Sequence, residues 1–154
     1  MIKSEKIKII SEKLKKVGLK VTPQRIAILQ EILFNHNHPS TDQVYQKVHN
    51  KYPNISFDTV NRTLITLSQK GTLKVVEGYG LPKKYDPNTG PHHHFQCIQC
   101  HTIIDFQNPT YDAIDVPREL QDKYQIIRKK VVLEGLCDKC RKKGGDKTYG
   151  KSSY

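Results

Sequence analysis

Ten consecutive residues, "PHHHFQCIQC" (91–100), hold three histidines and two cysteines, a density of metal-binding groups matched nowhere else in the chain. Cys97 and Cys100 form a C-x-x-C pair, and a second pair, Cys137 and Cys140, follows after a gap of 36 residues. Two such knuckles are the usual way to surround a tetrahedral Zn2+ with four thiolates. One C-x-x-C alone reads equally as a redox pair, and four thiolates also suit a rubredoxin-like iron. Two pairs in one short chain favour structural zinc. With no export signal in the sequence, structural disulfides are the weaker reading.

If zinc takes the sulfurs, the histidines are left for something else. His92 and His94 alternate along an expected strand and so share one face. Asp105 falls in the next expected strand, and Asp86 just before a turn-rich linker. Imidazoles and carboxylates make a nitrogen and oxygen site suited to iron, manganese or zinc rather than a thiophilic ion. Spacing alone leaves histidines solvated in a polar loop as the competing reading. His93 points to the opposite face and reads as an exposed polar residue.

The elements that must position these groups begin with an amphipathic helix over residues 4–18, with Ile7, Ile10, Leu14 and Val17 on one face and Gly18 ending it. Thr22 and Pro23 open a second helix carrying Ile26, Leu29, Ile32 and Leu33. Ser40 and Gln43 form a capping box for a third, with Val44 and Val48 turned inward. Ser56 caps a fourth, "SFDTVNRTLITLSQKG", closed by Gly71. Two short β-like runs, "TLKVVEGY" and "KKYD", then flank a turn and predict a hairpin. Helices followed by a hairpin give the order of a winged helix-turn-helix, the fourth helix entering the major groove.

Past "DPNTGP", three strands are expected in "HHFQC", "TIIDF" and "YQIIRKKVVLEGLC", with a helix over Pro117 to Lys123. The expected fold class is thus α+β: a winged helix-turn-helix over 1–85, a hinge at 86–91, and a small α/β domain over 92–143 stapled by zinc. So small a domain buries a marginal core, and the metal compensates. The tail, 144–154, has no apolar periodicity and reads as disordered.

Charge follows the same division. Up to Tyr85 there are 15 Lys and Arg against 6 acidic residues; from Asp86 onward there are 11 against 9. A basic first half fits a polyanion partner, and a solvated basic surface is the plainer alternative. No stretch approaches the roughly 18 apolar residues of a membrane span. A cytoplasmic protein without membrane partner or small-molecule substrate is expected.

"LKKVGLKVTPQRIAIL", "HPSTDQVYQKV", "DTVNRTL", "HHHFQCIQC", "IIDF" and "GLCDKC" occur in the order and spacing of the ferric uptake regulator family, which the chain resembles from about Leu14 to Cys140. The resemblance implies a homodimeric, metal-responsive repressor that binds double-stranded operator DNA through its winged helix. It makes Cys97, Cys100, Cys137 and Cys140 the structural Zn2+ ligands, and His38, Asp86, His92, His94 and Asp105 a regulatory site for Fe2+ or Mn2+. Aspartate at both carboxylate positions is most like the peroxide-responsive branch, in which a ligand histidine (here His38 or His92) is oxidised and the repressor leaves DNA. Lys15, Lys20, Thr59, Asn61, Arg62 and Thr63 become the candidate DNA contacts. Two departures stand out. Lys129 and Pro91 occupy positions that supply a further metal site in some members, and Asn61 stands where the family usually has Tyr, an exchange that alters base reading.

Two other classes compete. A zinc hydrolase built on His92, His94 and a carboxylate lacks an evident general base and leaves the basic half unexplained. An RNA-binding zinc ribbon lacks clustered aromatic residues in that half.

Overall fold

The computed structural model describes residues 3–34, 38–76 and 82–144. The chain divides into two compact units, Met1–Gly90 and Pro91–Tyr154.

The first unit opens with four helices, α1 (Lys3–Lys16), α2 (Pro23–Leu33), α3 (Thr41–Lys51) and α4 (Phe57–Gln69). Their starts are set by side chains that satisfy otherwise orphaned amides. Thr22 accepts from the Arg25 amide ahead of α2, and Ser56 from the Thr59 amide ahead of α4. Ser40 and Gln43 complete a reciprocal capping box at α3. Gly71, at φ +71°, turns the chain out of α4 in the left-handed region that glycine tolerates.

Each helix buries one stripe. Ile10 and Leu14, Ile28, Leu29 and Ile32, Val44 and Val48, and Val60, Leu64 and Leu67 are all fully enclosed in one core. Burying each such side chain stabilises the fold by about 1.5–3 kcal/mol. Ile7 departs from expectation: it shares the face of Ile10 by spacing but lies 38% exposed, because the core covers only the later turns of α1.

A two-stranded antiparallel sheet follows, β1 (Lys74–Val76) with β2 (Lys84–Asp86), in the register Lys74↔Asp86, Val75↔Tyr85 and Val76↔Lys84. Four helices and this hairpin make the winged helix-turn-helix. The hairpin's turn, 77–81, and the tail from 145 lie outside the described residues.

The second unit is a three-stranded sheet ordered β4-β3-β5. Strand β3 (His93–Cys97) pairs antiparallel with β4 (Ile103–Phe106) and parallel with β5 (Val132–Gly135). The parallel return from β4 to β5 passes through two short helices, α5 (Pro109–Asp112) and α6 (Arg118–Lys123), and α7 (Asp138–Lys143) closes the unit. The third strand is much shorter than the expected run 124–137. Residues 125–130 are exposed and outside the sheet, and Lys129 Nζ instead donates to the carbonyls of Asp112 and Ile114 at 2.8 and 2.6 Å. Among the described residues, no helix is long and apolar enough to cross a membrane.

Candidate metal centres and nucleic-acid interface

The four cysteines converge. Cys97 ends β3, Cys100 lies in the turn after it, Cys137 is the residue before α7 and Cys140 lies within α7. All four Sγ atoms lie within 4.8 Å of one another, with Cys100 and Cys137 at 3.6 Å, and none is in a disulfide. Four ligands at about 2.3 Å around a tetrahedral Zn2+ stand about 3.8 Å apart, so the cluster fits that ion.

Backbone geometry prepares the sulfurs unequally. Burial raises the Cys97 thiol, but the amides of Cys100, Cys137 and Gln99 outweigh it and bring the pKa to about 6. Two of those amides lie 3.5 Å (Cys100) and 3.4 Å (Cys137) from its sulfur. Cys100 is lowered, chiefly by Thr102, whose hydroxyl oxygen is 3.3 Å away. Cys140 is pushed up to about 12, first by burial and then by the neighbouring thiols. A cluster that holds thiolates together only against their mutual repulsion is one built for a cation.

In the same unit, His92 and His94 place their Nε2 atoms 2.9 Å apart, and 3.9 and 3.3 Å from Asp105 Oδ1. The antiparallel pairing His94↔Asp105 brings the carboxylate alongside. Both imidazoles are buried. Two nitrogens and a carboxylate oxygen converging in this way fit a divalent ion of intermediate hardness.

In the first unit, His38 Nε2 lies 3.7 Å from Asp86 Oδ1, and both residues are buried. His38 has φ +44° immediately before Pro39, a backbone that only a few per cent of non-glycine residues adopt. It is held by the next residues: the Tyr85 amide donates to the Pro39 carbonyl at 3.0 Å, and Ser40 bridges to Lys84. The Asp86 carboxylate is itself oriented, accepting from the Asn88 amide at 2.7 Å. Lys74 Nζ donates to the Gly90 carbonyl at 2.7 Å, closing the segment after β2 back onto β1.

His93 overturns its sequence reading. It does face away from His92 and His94, yet it is only 2% exposed. Its Nδ1 accepts from the Val131 amide at 3.1 Å, its Nε2 lies 3.2 Å from Asp112 Oδ1, and its ring packs against Phe106 and Tyr111. Alternation correctly gave the face but not what covers it. Asp112 belongs to the short helix α5, whose one sequence mark is Asn108 as N-cap with Pro109 behind it.

On α4 the candidate DNA contacts divide. Arg62 is exposed, and its Nε lies 2.8 Å from Asp58, one turn earlier. Thr59 shares a 2.9 Å hydroxyl contact with Ser56, and the Thr63 hydroxyl donates to the Thr59 carbonyl at 2.8 Å, so both are partly committed to their own helix. Asn61 is half-buried, whereas Lys15 and Lys20 are exposed.

A winged helix followed by a small sheet domain, with a thiolate cluster and imidazole–carboxylate groups, defines a metal-dependent regulator. The profile of the ferric uptake regulator family matches residues 16–134, and the chain belongs to that family. It is 32% identical over 130 residues to a peroxide-responsive repressor, PerR, of Staphylococcus aureus, covering 84% of this chain and 88% of that one. It is 30% identical over 131 residues to the PerR of Staphylococcus epidermidis, covering 85% and 87%. Among solved structures, the ferric uptake regulator of Vibrio cholerae superposes with a TM-score of 0.67 at 25% identity, over 82% of this chain and 98% of that one. The ferric uptake regulator of Helicobacter pylori gives 0.69 over 91% and 94%, and at 21% identity it speaks for the fold.

Proposed function

We propose that the chain is a homodimeric transcriptional repressor that binds operator DNA when metal-loaded and senses peroxide by iron-dependent oxidation of His38 or His92. The observation that carries this reading is aspartate at both carboxylate positions, Asp86 and Asp105, in a chain 30–32% identical to peroxide-responsive repressors.

On this reading Cys97, Cys100, Cys137 and Cys140 hold a structural Zn2+. His38 and Asp86 from the first unit and His92, His94 and Asp105 from the second hold one regulatory ion. Ligands drawn from both units make metal binding and the DNA-competent arrangement favour each other, with residues 86–91 as the hinge. A coupling of about 1–3 kcal/mol, roughly 5–150-fold in affinity, is enough for a switch. The exposed apolar residues of the second unit, Ile104, Ile127 (85% exposed), Val132 and Leu133, support a second copy as partner. Arg62, Lys15 and Lys20, with Thr59, Asn61 and Thr63, face the duplex, and a dimer making about six to ten phosphate contacts loses roughly 10³–10⁵ in affinity from 50 to 200 mM salt.

Bound Fe2+ supplies a redox activity that Mn2+ does not. Overall, one peroxide oxygen is added to an imidazole carbon and the other leaves as water. The modified ring is a poorer base and a poorer ligand, so DNA affinity falls with metal affinity.

The test is peptide mass spectrometry on anaerobic Fe2+-loaded protein after about one equivalent of peroxide, with Mn2+-loaded protein as control. One oxygen atom on the peptide carrying His38 or His92, with iron alone, is the expected result. Unmodified peptides from fully loaded protein would leave a regulator of metal availability instead.

A further inference from the structure

We infer that His93 is a positioning residue for the regulatory metal, a metal-free pin that holds strand β3 so that His92 and His94 present their nitrogens together. This rests on the reading of His92 and His94 as ligands.

The two sides of β3 carry different loads. On one lie His94 and Gln96, with His92 just ahead of the strand; on the other lie His93, Phe95 and Cys97. The second row is anchored throughout. Cys97 belongs to the thiolate cluster, and Phe95 lies against Gly135 so closely that a Cβ there would stand 3.3 Å from its ring. The cluster therefore fixes the far end of β3, while the ligands sit at the near end.

At that near end the pairing with β5 runs out. The parallel register begins at His94↔Val132, and the His94 amide donates to the Val131 carbonyl at 3.1 Å. The Val131 amide, one step beyond the ladder, donates to His93 Nδ1 instead. The imidazole thus replaces a backbone acceptor that the sheet does not provide.

The same bond fixes the tautomer. With Nδ1 accepting, the neutral ring carries its proton on Nε2, which comes to 3.2 Å from Asp112 Oδ1 without forming a hydrogen bond. One ring thus touches three segments: its own strand β3, the approach to β5 through the Val131 amide, and α5 through the Tyr111 ring and the nearby Asp112 carboxylate. Lys129, two residues before Val131, fastens the same neighbourhood through the carbonyls of Asp112 and Ile114. Partners behind metal ligands are commonly worth about 10–100-fold in metal affinity. Here the support acts through the backbone of the strand between the two imidazoles.

The experiment measures Mn2+ affinity and the Mn2+ paramagnetic resonance spectrum, together with zinc content and the melting transition. It compares zinc-loaded wild type with His93→Leu, His93→Asn and Asp112→Ala. His93→Leu is expected to weaken Mn2+ binding about 10–100-fold while one zinc per chain is retained. His93→Asn keeps an acceptor for the Val131 amide and is expected to recover most of the affinity, with the number of coordinated imidazoles unchanged. Wild-type Mn2+ affinity in a zinc-retaining His93→Leu overturns the proposal. Loss of one coordinated imidazole in His93→Asn also overturns it, by making His93 a ligand. If His93→Leu loses zinc and fold, Asp112→Ala, which removes the facing oxygen from an exposed position, decides: weaker Mn2+ binding supports the pin, and unchanged binding overturns it. A wild type that binds no Mn2+ beyond zinc refutes the ligand reading itself, and the proposal falls with it.

Discussion

The carbonyl of Pro39 accepts the amide of Tyr85 at 3.0 Å, and on either side of that bond His38 and Asp86 come to 3.7 Å from each other. Residues 38–40 thus run beside β2 as a short extra segment of the wing. A histidine and an aspartate 48 positions apart become neighbours through a backbone contact between the residues next to them.

Asp86→Asn separates the charge of that pair from its geometry. The amide oxygen still accepts from the Asn88 amide, so the first unit keeps its fold. The anionic donor is lost, and Mn2+ affinity is expected to drop at least about tenfold, the lower bound for altering even an indirect partner of a metal. Calorimetric titration of the zinc-loaded variant measures it, and an unchanged affinity removes Asp86 from the regulatory site.

Ser56 carries the start of α4, accepting from the Thr59 amide at 3.1 Å. Ser56→Ala is expected to cost about 0.5–2 kcal/mol in thermal or denaturant unfolding. It also frees the Thr59 hydroxyl, so duplex binding is expected to change less than stability does. A variant as stable as wild type would mean that the cap contributes nothing.

Zinc removal should act on one unit selectively. Apparent zinc binding of roughly 10–16 kcal/mol equals or exceeds the whole stability of a typical domain. The core of the first unit contains no cysteine. Chelation is therefore expected to abolish amide-exchange protection in β3, β4 and β5 while that of α2 to α4 persists. Parallel loss in both units would contradict the division.

The opposite displacements of Cys97 and Cys140 make the protons released on zinc uptake depend on pH. In metal-free protein at about pH 7, Cys97, depressed to about 6, is already mostly thiolate, whereas Cys140, pushed up to about 12, is a thiol. Zinc binding there releases the Cys140 proton and little from Cys97. As pH falls through about 6, Cys97 also becomes protonated and must give up its proton, so affinity falls more steeply with acid below that point. Calorimetry in buffers of different ionisation enthalpy counts the protons; equal counts at about pH 5 and pH 7 would contradict the depressed Cys97.

Legibility from sequence followed the range of the forces involved. Ser40 with Gln43, Ser56 and Gly71 act within a few residues, and each helix boundary they mark was readable. The cysteine pairs were readable because zinc fixes both residue type and spacing. His93 was not, since its burial depends on Asp112 and Val131, 19 and 38 positions away. The expected third strand begins too early because Ile126, Ile127 and Val131 suggest strand, but the pairing with β3 starts only at His94↔Val132 and the Val131 amide goes to the His93 ring instead.

The order of the thiolate cluster along the chain also sets a timetable for synthesis. Cys97 and Cys100 emerge from the ribosome nearly forty residues before Cys137 and Cys140, and β5, which must settle beside β3, is made just ahead of the second pair. The helical core, complete by Tyr85, can condense while the rest is still being translated. The sheet unit must wait for the loop to close, an entropic step that its last-made residues complete. Until then the two early thiols wait in a half-built site, which is complete only when Cys137 and Cys140 arrive.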